Sequence, residues 1–173
     1  MINTLNISPL VNDDIEALIS LVNSAYRGES SKKGWTTEAD LLGGIRTDQK
    51  SIQAQIEKPG ATMLTARDEA NTLVGCVYLL QQGHQLYLGM LTVAPDIQAR
   101  GIGKQLLFAA EKYGREINCS SVVMSVIELR HELIDWYKRH GYESTGEIKP
   151  FPSDPSFGIP KQPLQFIVLE KKI

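Results

Sequence analysis

Cysteine is scarce: Cys76 and Cys119 are the only two in 173 residues. They form no CxxC pair and have no histidine cluster beside them, so the sequence offers no metal site. Both lie in or beside apolar runs, the usual setting of a reduced, buried thiol. No apolar run approaches the roughly 18 residues a membrane span needs. The start "MINTLNISPL" lacks the basic-then-apolar order of a secretory signal. A cytoplasmic protein without a membrane partner is expected. Charge of one sign is lacking as well. A formal net charge of -2 gives no broad basic face for nucleic acid, although "YKRH" and Arg100 with Lys104 are local basic spots. No internal repeat, low-complexity tract or linker divides the chain, so residues 1–173 read as one domain.

What is present is a change of hydrophobic period along the chain. Residues 2–10 read as an opening edge strand ended by Pro9. A helix follows, with Asn12 or Asp13 as cap and Ile15, Leu18, Ile19 and Val22 on one face. "RGESSKKGW" is a polar loop. "TTEADLLGG" predicts a short helix stopped by Gly43 and Gly44, and residues 48–57 predict another. Then "ATMLTARD" and "TLVGCVYLLQQ" make a hairpin, and "HQLYLGMLTV" a third strand. Residues 101–117 form a long amphipathic helix, "SSVVMSVI" a buried strand, and "HELIDWYKRH" a helix ended by Gly141. "YESTGEI" and "LQFIVLEKK" are the last strands. Five of the eight prolines lie between Pro150 and Pro163, which predicts a stiff link poor in hydrogen bonds. The fold class is α/β (α+β): one mixed, twisted, mostly antiparallel sheet, a single parallel β-α-β pair, and helices on both faces.

"QARGIGKQLL", Gln98 to Leu107, sits where the third strand of the meander gives way to the long helix. A dinucleotide fingerprint would need a third glycine where Leu106 stands. A P-loop would need Ser or Thr after Gly103-Lys104, where Gln105 stands. Neither NAD nor ATP is indicated. Pro95 ends the strand, several backbone N–H groups gather at a helix start, and Arg100 and Lys104 add positive charge. A turn with close packing accounts for the glycines alone, and a diphosphate accounts for the whole set.

"LTVAPDIQARGIGKQLL" resembles the signature of the GNAT superfamily of acyl-CoA N-acyltransferases, Q/R-x-x-G-x-G/A, at Gln98, Gly101 and Gly103. "WYKRHGY" is similar to that family's xYxxxGF/Y block, and the element order extends the likeness over nearly the whole chain. The resemblance implies an N-acetyltransferase that uses acetyl-CoA as cosubstrate and needs no metal. Its coenzyme diphosphate would lie on the amides of Gln98, Ala99, Arg100, Gly101, Ile102, Gly103 and Lys104. The pantetheine arm would lie along Leu91, Thr92 and Val93, where the two parallel strands splay. Many members carry Asn at the position of Arg130. An arginine there implies instead a contact with coenzyme phosphates or a clamp on an acidic group.

Acyl transfer to an amine requires loss of a proton from nitrogen, stabilisation of an oxyanion, and protonation of the departing sulfur. By the resemblance, Tyr137 is the acid and the N–H of Val93 or Thr92 serves the oxyanion. Tyr137 reads equally as helix core, and Tyr142 is the other tyrosine near the motif. Glu128, Glu29, His84 or a water chain are open as base. Cys119 has no neighbour to activate it as an acyl-enzyme nucleophile. "YRGESSKKGWTTEADLLGGIR" offers Glu29, Trp35 and Arg46 to the acceptor, and "KPFPSDPSFGIP" offers Phe151 and Phe157. A small-molecule amine, an amino acid or a peptide N-terminus all fit, and the scarcity of acidic runs weighs against a very basic acceptor. A homodimer is left open. A non-catalytic acyl-CoA sensor would keep the glycine cradle without needing Tyr137, so the presence of both favours an enzyme.

Overall fold

The computed structural model describes residues 5–27, 38–39, 41–44, 46–97, 101–152 and 158–173. Its strands are β1 (Asn6–Pro9), β2 (Leu42–Gly43), β3 (Ala61–Arg67), β4 (Leu73–Gln82), β5 (Gln85–Val93), β6 (Ser121–Ile127), β7 (Glu143–Pro150), β8 (Ile159–Pro160) and β9 (Gln165–Lys172). The helices are α1 (Ile15–Tyr26), α2 (Gln49–Ile56), α3 (Ile102–Glu116) and α4 (His131–Arg139). Seven strands form one sheet in the order β1-β3-β4-β5-β6-β9-β7. Every neighbouring pair is antiparallel except β5 and β6, the pair joined through α3.

Each face of the sheet carries a core. On one, Leu64, Val77, Leu79, Leu86 and Leu88 pack with α3 and α4 residues such as Leu106, Ala110 and Leu133. On the other, Met63, Cys76, Tyr78 and Met90 pack with Leu18, Val22 and Ala25 of α1 and Ile52 of α2. Strand side chains alternate between faces, and β4 does so from Cys76 to Leu79: Cys76 and Tyr78 go one way, Val77 and Leu79 the other. β5 breaks the rule. Leu86 and Leu88 face α3, yet so do Leu91 and Val93, while Met90 faces α1. The register with β4 jumps at this point, from Tyr78 opposite Gly89 to Cys76 opposite Thr92. The extra residue is a β-bulge, with Met90 at φ 53.

Several local expectations differ from the structure. Asn12–Asp14 form a 3-10 turn, and neither Asn12 nor Asp13 caps α1; the cap position is Asp14, which makes no side-chain cap bond and pairs with Arg67. The helix expected over 36–44 lies partly outside the described residues, and its end is a strand. Leu42 and Gly43 pair with Pro160 and Ile159, a distant partner that overrides the local helix-like pattern. That pairing, with Lys161 N–H donating to the Leu41 carbonyl at 2.8 Å, also ties down the proline-rich link that was expected to be poor in hydrogen bonds. Among the described residues no helix is long and apolar enough to cross a membrane.

Gly75 sets how closely α3 approaches the sheet. A Cβ there would lie 2.8 Å from Leu106 Cδ1 and 2.9 Å from the Thr92 carbonyl oxygen. The second neighbour is backbone and cannot step aside. Gly75→Ala is therefore expected to destabilise the protein by about 1–3 kcal/mol through overpacking, read as a lower urea midpoint with an unchanged m-value. An unaltered midpoint would show that α3 can shift freely on β4.

Candidate functional site

The bulge opens a cleft. β5 and β6 are paired only through Gln85–Ser121, Leu86–Val122 and Tyr87–Val123. Beyond Tyr87 the strands diverge, and a cavity of about 440 Å3 lies between Leu88–Leu91 of β5 and Met124–Ile127 of β6. Such a divergence would not persist without contacts to hold it. The Met90 carbonyl accepts from Thr92 Oγ1 at 2.8 Å and from Cys76 Sγ at 3.8 Å, and the Leu91 carbonyl accepts from the Tyr26 hydroxyl. Tyr26 ends α1, so that helix pins the bulge.

The start of α3 follows β5 in the chain and lies outside the lining of this cavity, which on β5 ends at Leu91. Gly101 is the N-cap of α3 at φ 79, a left-handed conformation that favours glycine, and makes no side-chain cap bond. The first intrahelical bond runs from Gln105 N–H to the Gly101 carbonyl at 3.1 Å. The N–H groups of Ile102, Gly103 and Lys104 precede it, first-turn donors of the kind that suit an anion. Gly103 abuts Val93 and Trp136, with a built Cβ 3.6 Å from Val93 Cγ2 and 3.7 Å from the indole. The helix start, the end of β5 and α4 thus meet at one point. Lys104 Nζ stands 5.5 Å from the Phe108 ring centroid. Gln98, Ala99 and Arg100 lie outside the described residues.

Tyr137 on α4 lines the cavity, and its neighbour Trp136 meets it edge-on at 5.1 Å. Burial pushes its phenol well above the ordinary tyrosine range, with Tyr26 adding to the effect and Arg130 opposing it. The hydroxyl therefore holds a proton at neutral pH. Tyr142 is directed elsewhere: its hydroxyl donates to Glu111 Oε2 at 3.0 Å on α3, and Lys171 completes that buried group at 2.9 Å. Neither cysteine is a poised nucleophile. Burial pushes the Cys76 thiol up to about 12 and raises that of Cys119.

A charged cluster forms the wall nearest α1. Arg27 donates to Glu38 Oε1 from Nη2 at 2.9 Å and from Nε at 3.2 Å, and Arg130 Nη1 reaches Glu38 Oε2 at 3.2 Å. Side-chain exposure is 4% for Arg27 and 8% for both Glu38 and Arg130. Of the two roles open for Arg130, the structure shows its side chain at an acidic group, Glu38. Arg46 and Arg130 stand 5.4 and 5.6 Å from the Tyr26 ring centroid. The opposite wall is apolar, with Phe151 and Phe166 stacked at 5.4 Å. Arg46 and Phe151 thus come together in one cavity. Glu29, Trp35 and Phe157 lie outside the described residues. Glu128 is held by Gln165 Nε2 at 2.5 Å, and His84 is exposed in the turn before β5, at the end where β5 and β6 are still paired. Sequence reading did not single out Tyr26, Arg27 or Glu38. They stood inside the quoted acceptor segment, but the Glu38–Arg130 contact spans 92 positions and leaves no local signal.

Comparison with known proteins gives one consistent answer. The acetyltransferase (GNAT) family model matches residues 16–142. A mycothiol acetyltransferase from Propionibacterium freudenreichii subsp. shermanii is 27% identical over 138 residues, 76% of this chain and 40% of that protein. The chain thus spans about two fifths of the length of the curated relative it matches. Among solved structures, the ribosomal-protein-S18-alanine N-acetyltransferase of Escherichia coli superposes with a TM-score of 0.73 at 14% identity, covering 98% of this chain and 94% of that one. A ribosomal-protein-alanine N-acetyltransferase from Brucella melitensis gives 0.72 at 19%, covering 97% and 99%. At these identities the structural likeness establishes the fold.

The Glu38 carboxylate separates two buried guanidinium groups. Glu38→Gln removes the carboxylate that both guanidinium groups bind and is expected to cost roughly 3–5 kcal/mol, the range for breaking a buried ion pair from one side. Chemical denaturation of the purified variant measures it. A loss under 1 kcal/mol would mean that solvent or another group screens Arg27 from Arg130.

Proposed function

Because the chain belongs to the acetyltransferase (GNAT) family, we propose that it transfers an acetyl group from acetyl-CoA directly to the amine of a small molecule or peptide. The observation that carries this reading is the cleft itself. Two parallel strands splay beside a helix start with no side-chain cap, and a buried, protonated tyrosine faces the same space. The pantetheine arm then lies along Leu91, Thr92 and Val93 as an added strand. The diphosphate rests on the amides of Gln98 to Lys104, with Arg100 and Lys104 supplying charge. Helix-start amides and fixed cations suit a doubly charged diphosphate.

The amine nitrogen attacks the thioester carbonyl carbon, and an N–H of Thr92 or Val93 meets the oxyanion that forms. Collapse of this intermediate breaks the C–S bond. Tyr137 gives its proton to the departing sulfur, and the proton shed by nitrogen restores it. A phenol whose pKa is raised by burial stays protonated across the working range, so its proton is present when the sulfur departs. Direct transfer agrees with the inert state of both cysteines.

Tyr137→Phe keeps the ring and removes the proton. A fall in kcat of about 10²–10⁴-fold is expected with acetyl-CoA, and a smaller fall with an acyl donor whose thiol is more acidic. Since burial raises the Tyr137 pKa, the wild-type rate should show no loss from this group as pH rises to the ordinary tyrosine value near 10. Release of free coenzyme A thiol measures both. A folded variant with normal kcat would remove Tyr137 from the acid role.

A further inference from the structure

The lining of the cavity is lopsided in charge. Among the described lining residues, Arg27, Arg46, Arg130 and Lys149 face a single carboxylate, Glu38. Tyr26, Tyr87 and Tyr137 add no negative charge, since burial raises the pKa of each. Glu38 is already engaged on both oxygens by Arg27 and Arg130. Among the described residues no carboxylate comes within ion-pair distance of Arg46, whose recorded partner is the Tyr26 ring. Its neighbourhood is repulsive as well: Arg46 and Arg130 both work against the charge on Arg27.

Nor is Arg46 a loose surface cation. Asn23 on α1 accepts from the N–H groups of Arg46 and Thr47 at 2.7 and 3.0 Å, and its Nδ2 donates to the Thr47 carbonyl at 3.0 Å. The backbone that carries the guanidinium is therefore fixed to the same helix that pins the bulge. A cation on fixed backbone that lines a cavity and has no carboxylate partner among the described residues is what recognition of an anion requires. A different feature suits an amine. Gln55 Oε1 is buried in this lining without a hydrogen-bond partner, and an N–H donor would satisfy it. The stacked Phe151–Phe166 wall provides an apolar surface opposite.

We infer that the acceptor is an apolar α-amino acid, its carboxylate held by Arg46 and its side chain against Phe151 and Phe166. This rests on the acyl-transfer reading above and names the substrate class for the same cavity. A volume of about 440 Å3 that must also admit the thioester end suits a molecule of that size.

The test uses the intact protein with coenzyme A present and two probes, N-acetyl-L-phenylalanine and its carboxamide, in titration calorimetry. The acid should bind the wild type at least tenfold more tightly than the amide. In Arg46→Gln that preference should vanish while the amide's affinity stays the same. A wild-type circular dichroism spectrum and melting temperature certify that the variant is folded. Equal affinities in the wild type, a preference that survives in Arg46→Gln, or no binding of the acid would each overturn the inference. Thiol release from acetyl-CoA with phenylalanine and with phenylalaninamide, run in parallel, separates this from the parent reading. Acid-selective binding with no thiol release from any amine supports the carboxylate site and overturns acyl transfer. Release with the amide but not with the acid supports acyl transfer and overturns the carboxylate site.

Discussion

The hydroxyl of Tyr26 on the carbonyl of Leu91 is the contact on which the site depends. A parallel strand pair would otherwise zip to its end, because each added rung satisfies backbone groups that are costly to bury unpaired. The bulge at Met90 interrupts β5 just past its last rung with β6, and Tyr26, Thr92 and Cys76 supply side-chain partners to the two carbonyls it turns out. A non-glycine residue at φ 53 is held there by its surroundings rather than by its own preference. The result is a cleft inside an otherwise continuous sheet.

The last turn of α1 does more than hold that bulge. Asn23, Tyr26 and Arg27 fall at i, i+3 and i+4 and share a face. Asn23 fixes the segment bearing Arg46, Tyr26 fixes β5, and Arg27 anchors Glu38, which in turn meets Arg130 ahead of α4. Arg27 is the C-cap of that helix, and the carbonyl end of a helix carries partial negative charge, so cations gather there at lower cost. One helix end thereby couples the cleft between β5 and β6 to the charged wall.

The start of α3 and the end of α1 have different chemistry for a physical reason. The α3 end presents backbone N–H groups, whose direction is set by the helix and scarcely by side-chain identity. The α1 end presents guanidinium groups and aromatic rings, whose placement depends on which residues converge. Backbone sites suit the part of a ligand that stays constant, and side-chain sites suit the part that distinguishes one acceptor from another.

Hydrophobic period, Pro95 and the "QARGIGKQLL" junction made the sheet, its one parallel pair and the helix start legible, since each depends on residues near one another in the chain. Local reading also reached Arg46 and Phe151, which line one cavity, because both sit in polar or proline-rich segments between regular elements. It failed at Leu42–Gly43, where a partner more than a hundred residues away turns a helix-like sequence into a strand. The Met90 bulge was equally hidden, since "LYLGMLTV" reads as one unbroken strand until β4 fixes its register. Sequence alone determined the elements and the chemistry available at the α3 start, because period and backbone freedom are local properties. Tertiary structure alone decided the splay of β5 from β6 and the union of Arg27, Glu38, Arg46 and Arg130. Those depend on contacts across the chain, and no local pattern encodes which distant charge a buried charge will meet.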